Sequence, residues 1–179
     1  MSTKTAKTPK TLPPLQVIPI GGLGEVGKNM TAFIYGKDMI IVDAGLMFPE
    51  NDMPGIDYII PDFRFLQQQT DLKVHGIVIT HGHEDHTGAI GHVAAAFPAP
   101  IYATPLTCGF LEVKLKHAKM LDPKRLIRFE AGDVIKLGPF SVETFHVCHS
   151  IPDCVGLGID TPVGLVVHSG DFKFDHTPV

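Results

Sequence analysis

From Leu15 onward the chain alternates short apolar, often β-branched runs with glycine-punctuated polar gaps: LQVIPI, MTAFIY, DMIIVDAG, GIVITH, PIYAT, FSVETFHV, CVGLGID and GLVVHSGD. β-Branched side chains fit a pleated surface and Gly interrupts it, so the pattern predicts about eight strands. Between them, Asp62 to Gln69, Thr87 to Ala96 and Pro105 to Lys119 read as helices. The last opens with Pro in its first turn, where the missing N–H is no loss. Strands first in hairpin-like succession and then alternating with helices predict a mixed sheet with helices on one face, an α/β lobe of layered α+β type. Before Leu15, residues 1–14 hold Lys4, Lys7 and Lys10 among Ser, Thr and Pro with no acid, and read as a flexible basic tail outside the core.

Composition narrows the function classes more than the fold. At 179 residues the length suits one domain or one lobe of a larger domain, and 44% apolar with 19% charged residues excludes wholesale disorder. A formal charge of -4 gives no global attraction to nucleic acid or an anionic membrane, so such binding needs a local patch. No apolar run approaches the roughly 18 residues of a membrane helix, and the opening MSTKTAKTPK has no signal-peptide core. The chain therefore reads as cytoplasmic, with no membrane partner. Cys108, Cys148 and Cys154 contain no CxxC pair, which argues against a disulfide frame or a cysteine zinc knuckle. Ten His is the unusual count.

Five of the six positions in His81-Gly-His83-Glu-Asp85-His86 are polar, and the segment directly follows the apolar run Gly76 to Thr80 and precedes a helix. At such a strand-to-helix turn the backbone aims several short side chains into one cavity, so His81 and His83 can hold one metal while Asp85 and His86 reach a second. Imidazole with carboxylate suits Zn²⁺ or Mn²⁺ better than the all-oxygen shell of Ca²⁺. A merely polar, solvated turn is the bland alternative, but packing does not require three His and an Asp at HxHxDH spacing. Two more candidates stand where strands run out: His149 after FSVETFHV and Asp171 after GLVVHSG. A single carboxylate can span metals roughly 3.5–4 Å apart, which makes Asp171 the candidate bridge.

HGHEDHTGA, HSIPD and SGDFKFD, with DAGLMFPE and GGLGEVGKN upstream, resemble the metallo-β-lactamase superfamily and, within it, the β-CASP ribonucleases of the ribonuclease J type. The resemblance runs from about Leu15 to Val179 and matches only the N-terminal part of those longer proteins. It implies that the chain is an N-terminal lobe of the αββα sandwich, with the β-CASP domain and the second half of the sandwich absent. By this likeness His81, His83 and His149 hold the first of two divalent metals, Zn²⁺ or Mn²⁺, Asp85 and His86 the second, and Asp171 both. Asp85 and Asp171 would be the catalytic carboxylates, and Asp43 in DAG a carboxylate that positions ligands without binding metal. The implied activity is hydrolysis of RNA phosphodiester bonds by a metal-bridging hydroxide, endonucleolytic or 5′-3′ exonucleolytic, in RNA processing and decay, including rRNA processing. RNA is the implied partner, with a homo-oligomer for the full-length protein. The competing readings are a hydrolase of the same superfamily acting on a thioester, lactone or lactam, and a metal-binding lobe without chemistry of its own. The fragment alone is expected to be weakly active or inactive, to bind the first metal more tightly, and to leave one apolar sheet face exposed.

Other features carry less. Gly22-Leu-Gly24-Glu-Val-Gly27 satisfies the dinucleotide fingerprint GxGxxG, but Lys28 to Gly36 reads as a strand where a Rossmann helix belongs. A tight loop beside the metals, with N–H groups available to a phosphate, is the better role. His146 lies three residues before His149, which on a strand sends the two to opposite faces, and the same alternation separates Cys148 from His149. His75, His92 and His117 read as ordinary surface or satisfied core residues, while His168 and His176 flank Asp171 without a decided role. From Lys114 to Arg128 six basic residues face one acid, Asp122, either a solvated face or a phosphate-tracking rim.

Overall fold

The computed structural model describes residues 12–175; the basic tail, apart from residues 12–14, and His176 lie outside the described residues. In chain order the elements are β1 (Leu15–Gly21), β2 (Met30–Tyr35), β3 (Asp38–Val42), α1 (Arg64–Gln67), β4 (Lys73–Val78), α2 (Glu84–Thr87), α3 (Ile90–Ala96), β5 (Ile101–Ala103), α4 (Pro105–His117), β6 (Leu126–Arg128), β7 (Val134–Leu137), β8 (Phe140–His146), β9 (Val155–Thr161) and β10 (Gly164–His168). The first six strands form one sheet in sequence order, antiparallel through β1-β2-β3 and parallel from β3 to β6. The last four form a second, wholly antiparallel sheet ordered β10-β9-β8-β7.

Two sheets therefore replace the single mixed sheet predicted from the sequence. The missed strands, β6 and β7, are three and four residues long, and β6 lies inside the basic run Lys114 to Arg128. They are parted by a turn in which Glu130 N–H donates to Asp133 Oδ2 and Asp133 N–H to the Glu130 carbonyl. That turn ends the first sheet and starts the second. The predicted helix Thr87 to Ala96 is likewise two helices, broken at Gly88 and Ala89, with α2 starting earlier at Glu84. Pro105 opens α4 as expected, and GxGxxG is followed by β2, which removes the dinucleotide reading.

Packing explains the layers. Met30, Ala32, Met39 and Ile41 face α1, α3 and α4 through Leu66, Ile90, Val93, Leu111 and Leu115, all buried. Alternation along β2 and β3 turns Phe33, Ile40 and Val42 to the other side, against Leu137, Phe140, Val142, Leu157 and Ile159 of the second sheet. Each fully buried side chain of this size contributes about 1.5–3 kcal/mol, so both interfaces are strongly favoured. The result is three layers: helices, six-stranded sheet, four-stranded sheet. On the outer face of the second sheet Leu165 and Val167 remain 65% and 64% exposed, together with Val134 and Phe145. No helix is long and apolar enough to cross a membrane among the described residues.

Candidate metal centre

Four strand ends meet at one rim. β3 and β4 are parallel, and β8 and β10 point the same way because antiparallel β9 lies between them. Asp43 follows β3, His81 follows β4 by three residues, His149 follows β8 and Asp171 follows β10. Two chain segments from each sheet thus converge where the layers abut. Val155 N–H donates to the Thr80 carbonyl at 3.1 Å, tying the layers together at that point.

His81, His83 and His149 come together: His83 Nδ1 lies 3.1 Å from His81 Nε2 and 3.2 Å from His149 Nε2. His81, His86 and Asp171 form a second group, and within each group one ligand atom per residue lies within 4.8 Å of the others. Asp171 reaches towards both, with Oδ1 3.4 Å from His86 Nε2 and Oδ2 3.8 Å from His149 Nε2. Asp85 stands beside the second group, its Oδ2 3.7 Å from His86 Nε2. His81 belongs to both groups, an overlap that the sequence reading assigned to Asp171 alone.

Local structure aims these groups. His83 is the N-cap of α2 in extended conformation, so Asp85 and His86 project from the first turn of the following helix. His149 sits in a loop held by Val147 N–H on the Cys154 carbonyl and Lys173 N–H on the Cys148 carbonyl. Further along that loop, Asp153 accepts from Leu106 N–H through Oδ2 and from Thr104 Oγ1 through its carbonyl, fastening it to the start of α4. Because β8 ends at His146, strand alternation does not govern His149 or Cys148. Both line a cavity of about 460 Å³ with His146, which joins neither ligand group among the described residues.

Behind the second group lies a buried network centred on Asp43. Thr80 donates to it through N–H (2.8 Å) and Oγ1 (3.0 Å to each oxygen), and His86 Nδ1 meets Oδ2 at 2.8 Å. Burial opposes the Asp43 charge, but the His86 charge and hydrogen bond with the Thr80 N–H hold its carboxyl below the usual range. Burial likewise disfavours protonated His86, yet Asp43 and Asp171 outweigh it and raise the group to about 10. Burial and the adjacent His86 charge lower His81 to about 4, and the hydrogen bond with His86 lowers Asp171 to about 2. Two ionised carboxylates around one imidazole form a pocket that favours positive charge. With His86 Nδ1 held by Asp43 and His81 Nδ1 3.1 Å from Thr80 Oγ1, each ring leaves Nε2 towards the cluster, the orientation metal-binding imidazoles take. The donor set fits a divalent cation.

The other described histidines join neither ligand group. His75 Nε2 pairs with Asp38 Oδ1 at 2.6 Å, His92 Nε2 meets the Tyr58 hydroxyl at 3.1 Å, and His117 lines a shallow cavity with His92. His168 sits edge-on to Phe33 and lines a cavity of about 160 Å³ with Asp43, His86 and Asp171. That cavity also touches Gly21, Gly22 and Leu23, placing the glycine loop beside the cluster. Half of the basic run has internal partners: Lys114 pairs with Glu84, Arg128 with Glu112, and Arg125 donates to the Ala94, Phe97 and Ala99 carbonyls at and beyond the end of α3. Sequence reading gave no individual role to Thr80 or Asn29, although Asn29 closes the GGLGEVGKN motif.

Three packed layers with a His and Asp cluster at a rim of strand ends define a metal-binding α/β fold. The family model for the metallo-beta-lactamase superfamily matches residues 23–178, and the chain belongs to that superfamily. It is 43% identical over 167 residues to "Ribonuclease J" of Synechocystis sp. and 44% identical over 163 residues to "Ribonuclease J 1" of Streptococcus pyogenes serotype M3. These matches take in 92% and 91% of this chain but only 26% and 29% of the relatives, so the chain spans about a quarter of their length. Among solved structures, the metallo-beta-lactamase fold protein YhfI from Bacillus subtilis matches with a TM-score of 0.63 at 18% identity, over 90% of this chain and 64% of that one.

Proposed function

We propose that this chain is the metal-binding lobe of a ribonuclease that hydrolyses RNA phosphodiester bonds, and the N-terminal part of a longer enzyme. The observation that carries the reading is the cluster of His81, His83, His149, His86 and Asp171 in a chain more than 40% identical to ribonucleases J. His81, His83 and His149 would hold one divalent cation, Zn²⁺ or Mn²⁺; His86 and Asp85 a second; Asp171 both. Bound cations at such a centre supply positive charge for phosphate oxygens and acidify water. The chain's own contribution is orientation: Asp43 and Thr80 fix the His86 and His81 rings, and Asp171 supplies a negative charge between the two groups. Lys116, Lys119 and Lys124, the lysines of the basic run left exposed, would give RNA a phosphate-tracking edge.

The test is turnover. The chain, and a form extended to the length of the relatives, are assayed with Zn²⁺ or Mn²⁺ on 5′-phosphorylated RNA, a thioester and a lactone. RNA cleavage by the extended form that is lost on His83→Ala supports the proposal. Ester hydrolysis without RNA cleavage would replace it with the competing hydrolase reading.

A further inference from the structure

The GGLGEVGKN segment ends on Asn29, which reaches Asp85 through both its backbone and its side chain. Its N–H donates to the Asp85 carbonyl at 3.0 Å and its carbonyl accepts from Gly45 N–H at 2.9 Å. Ala44 N–H donates to the His86 carbonyl and Leu46 N–H to that of Glu84, so backbone bonds alone already tie down the main chain at 84–86. Gly45 is required there, since a Cβ would lie 1.6 Å from the Asp85 carbonyl oxygen.

The Asn29 amide adds a second set of contacts. Nδ2 lies 3.1 Å from the Asp85 carbonyl, 3.3 Å from Asp85 Oδ2 and 3.1 Å from His86 Nε2. Two of these neighbours can only accept, which fixes the NH₂ end of the amide towards them. The other end is confined: Gly22, at φ +86°, approaches so closely that a Cβ on it would sit 2.2 Å from Asn29 Oδ1. The amide is thus wedged between the glycine loop and the two candidate ligands that share no element with the first group's His149.

We infer that Asn29 is a positioning residue for the second half of the metal centre: its amide nitrogen donates to the Asp85 carbonyl and carboxylate and so holds that group beside His86 Nε2 for a divalent cation. The inference rests on the two-cation reading above. It gives the glycine loop a definite task, closing on the centre through Gly22 and Asn29. Partners of this kind typically change metal affinity 10–100-fold when removed.

The experiment is a Co²⁺ and Zn²⁺ titration of the chain, followed by calorimetry and by the Co²⁺ absorption bands, with Asn29→Ala and Asn29→Asp. The expected result is that the wild-type chain binds two ions and that Asn29→Ala weakens the second about 10-fold or more while the first changes less than about threefold. In the metal-free variant the His86 ring resonances should shift while those of His149 stay in place. Asn29→Asp keeps the volume but loses the donor, so it should weaken the second ion as alanine does; tighter binding instead would show a ligand position and overturn the inference. Equal weakening of both ions, or none, in a chain that binds two would also overturn it. Binding of a single ion by the wild-type chain would remove the two-cation reading on which it rests. If Asn29→Ala does not fold, Asn29→Asp decides.

Discussion

The two halves of the centre share His81 yet are built on opposite plans. The half containing His83 and His149 is three imidazoles on loops, partly open to solvent, with backbone contacts holding the loops and a 460 Å³ cavity alongside. The half containing His86 and Asp171 rests on a buried carboxylate, Asp43, that bonds Thr80 on the β4 side and His86 on α2. A buried ionised group is costly unless every partner is in place, so the second half is part of the fold as well as of the site. Asp43 also stands at φ +63°, a left-handed conformation tolerated best by Asn, Asp and Gly. Loss of the first half should therefore cost binding, and damage to the second should cost structure too.

The largest effect is expected from Asp43→Ala. Removing one partner of a buried pair leaves His86 and Thr80 without their acceptor and should destabilise the metal-free chain by about 3–5 kcal/mol in urea unfolding. Asp43→Asn retains the left-handed backbone preference and should fall between alanine and wild type. A change in the midpoint equivalent to less than about 1 kcal/mol for Asp43→Ala would erase the contrast between the halves.

Asp171→Ala sits between the extremes. Its side chain is 45% exposed and follows the last strand, so stability should move by no more than about 1 kcal/mol. Binding of two ions should be lost, because one oxygen faces His86 and the other His149. Two ions retained by that variant, measured by metal analysis after gel filtration, would assign the overlap to His81 alone.

His149→Ala sharpens the comparison from the other side. The ring is partly exposed on a loop whose main-chain contacts do not involve it, so unfolding of the metal-free chain should change by about 0.5 kcal/mol or less. Its first-half ion should nevertheless be lost while that bound by His86 and Asp171 remains. A loss of stability comparable to that of Asp43→Ala would show that the imidazole cluster is also a folding element.

This division explains how much could be read in advance. The candidate ligands packed into HxHxDH leave their signature in the letters, and His149 and Asp171 were legible as candidates because each follows an apolar run. The Asp43 motif was legible by resemblance, but its bond to Thr80 was not, since a threonine at the end of a strand has an ordinary reading. Asn29 was hidden for a similar reason: it contacts residues 56 and 57 positions away, and only tertiary packing brings them together. The same holds for Arg125, which counted as surface charge in the sequence but donates to carbonyls at and beyond the end of α3. The split into two sheets escaped because β6 lies inside the basic run and only the turn from Glu130 to Asp133 separates it from β7.

The smallest expected effect concerns the thiols, which report the openness of each region without altering it. Cys108 is buried in the helical layer with its S–H on the Ala103 carbonyl, and burial raises its pKa. Cys154 is equally buried, with its S–H on the Ile151 carbonyl, and burial followed by the nearby Asp171 charge pushes it up to about 11. Thiolate is the reactive form, so at pH 8 both should be inert towards iodoacetamide. Cys148 is partly exposed on the cavity that His149 also lines, so it is the thiol a reagent can reach. Intact-mass and peptide analysis should show one carbamidomethyl group per native chain, on Cys148, and three after unfolding. Native labelling of Cys154 at the Cys148 rate would mean that the loop from Cys148 to Cys154 opens readily, and that the contacts of Asp153 with Leu106 and Thr104 do not hold His149 in place.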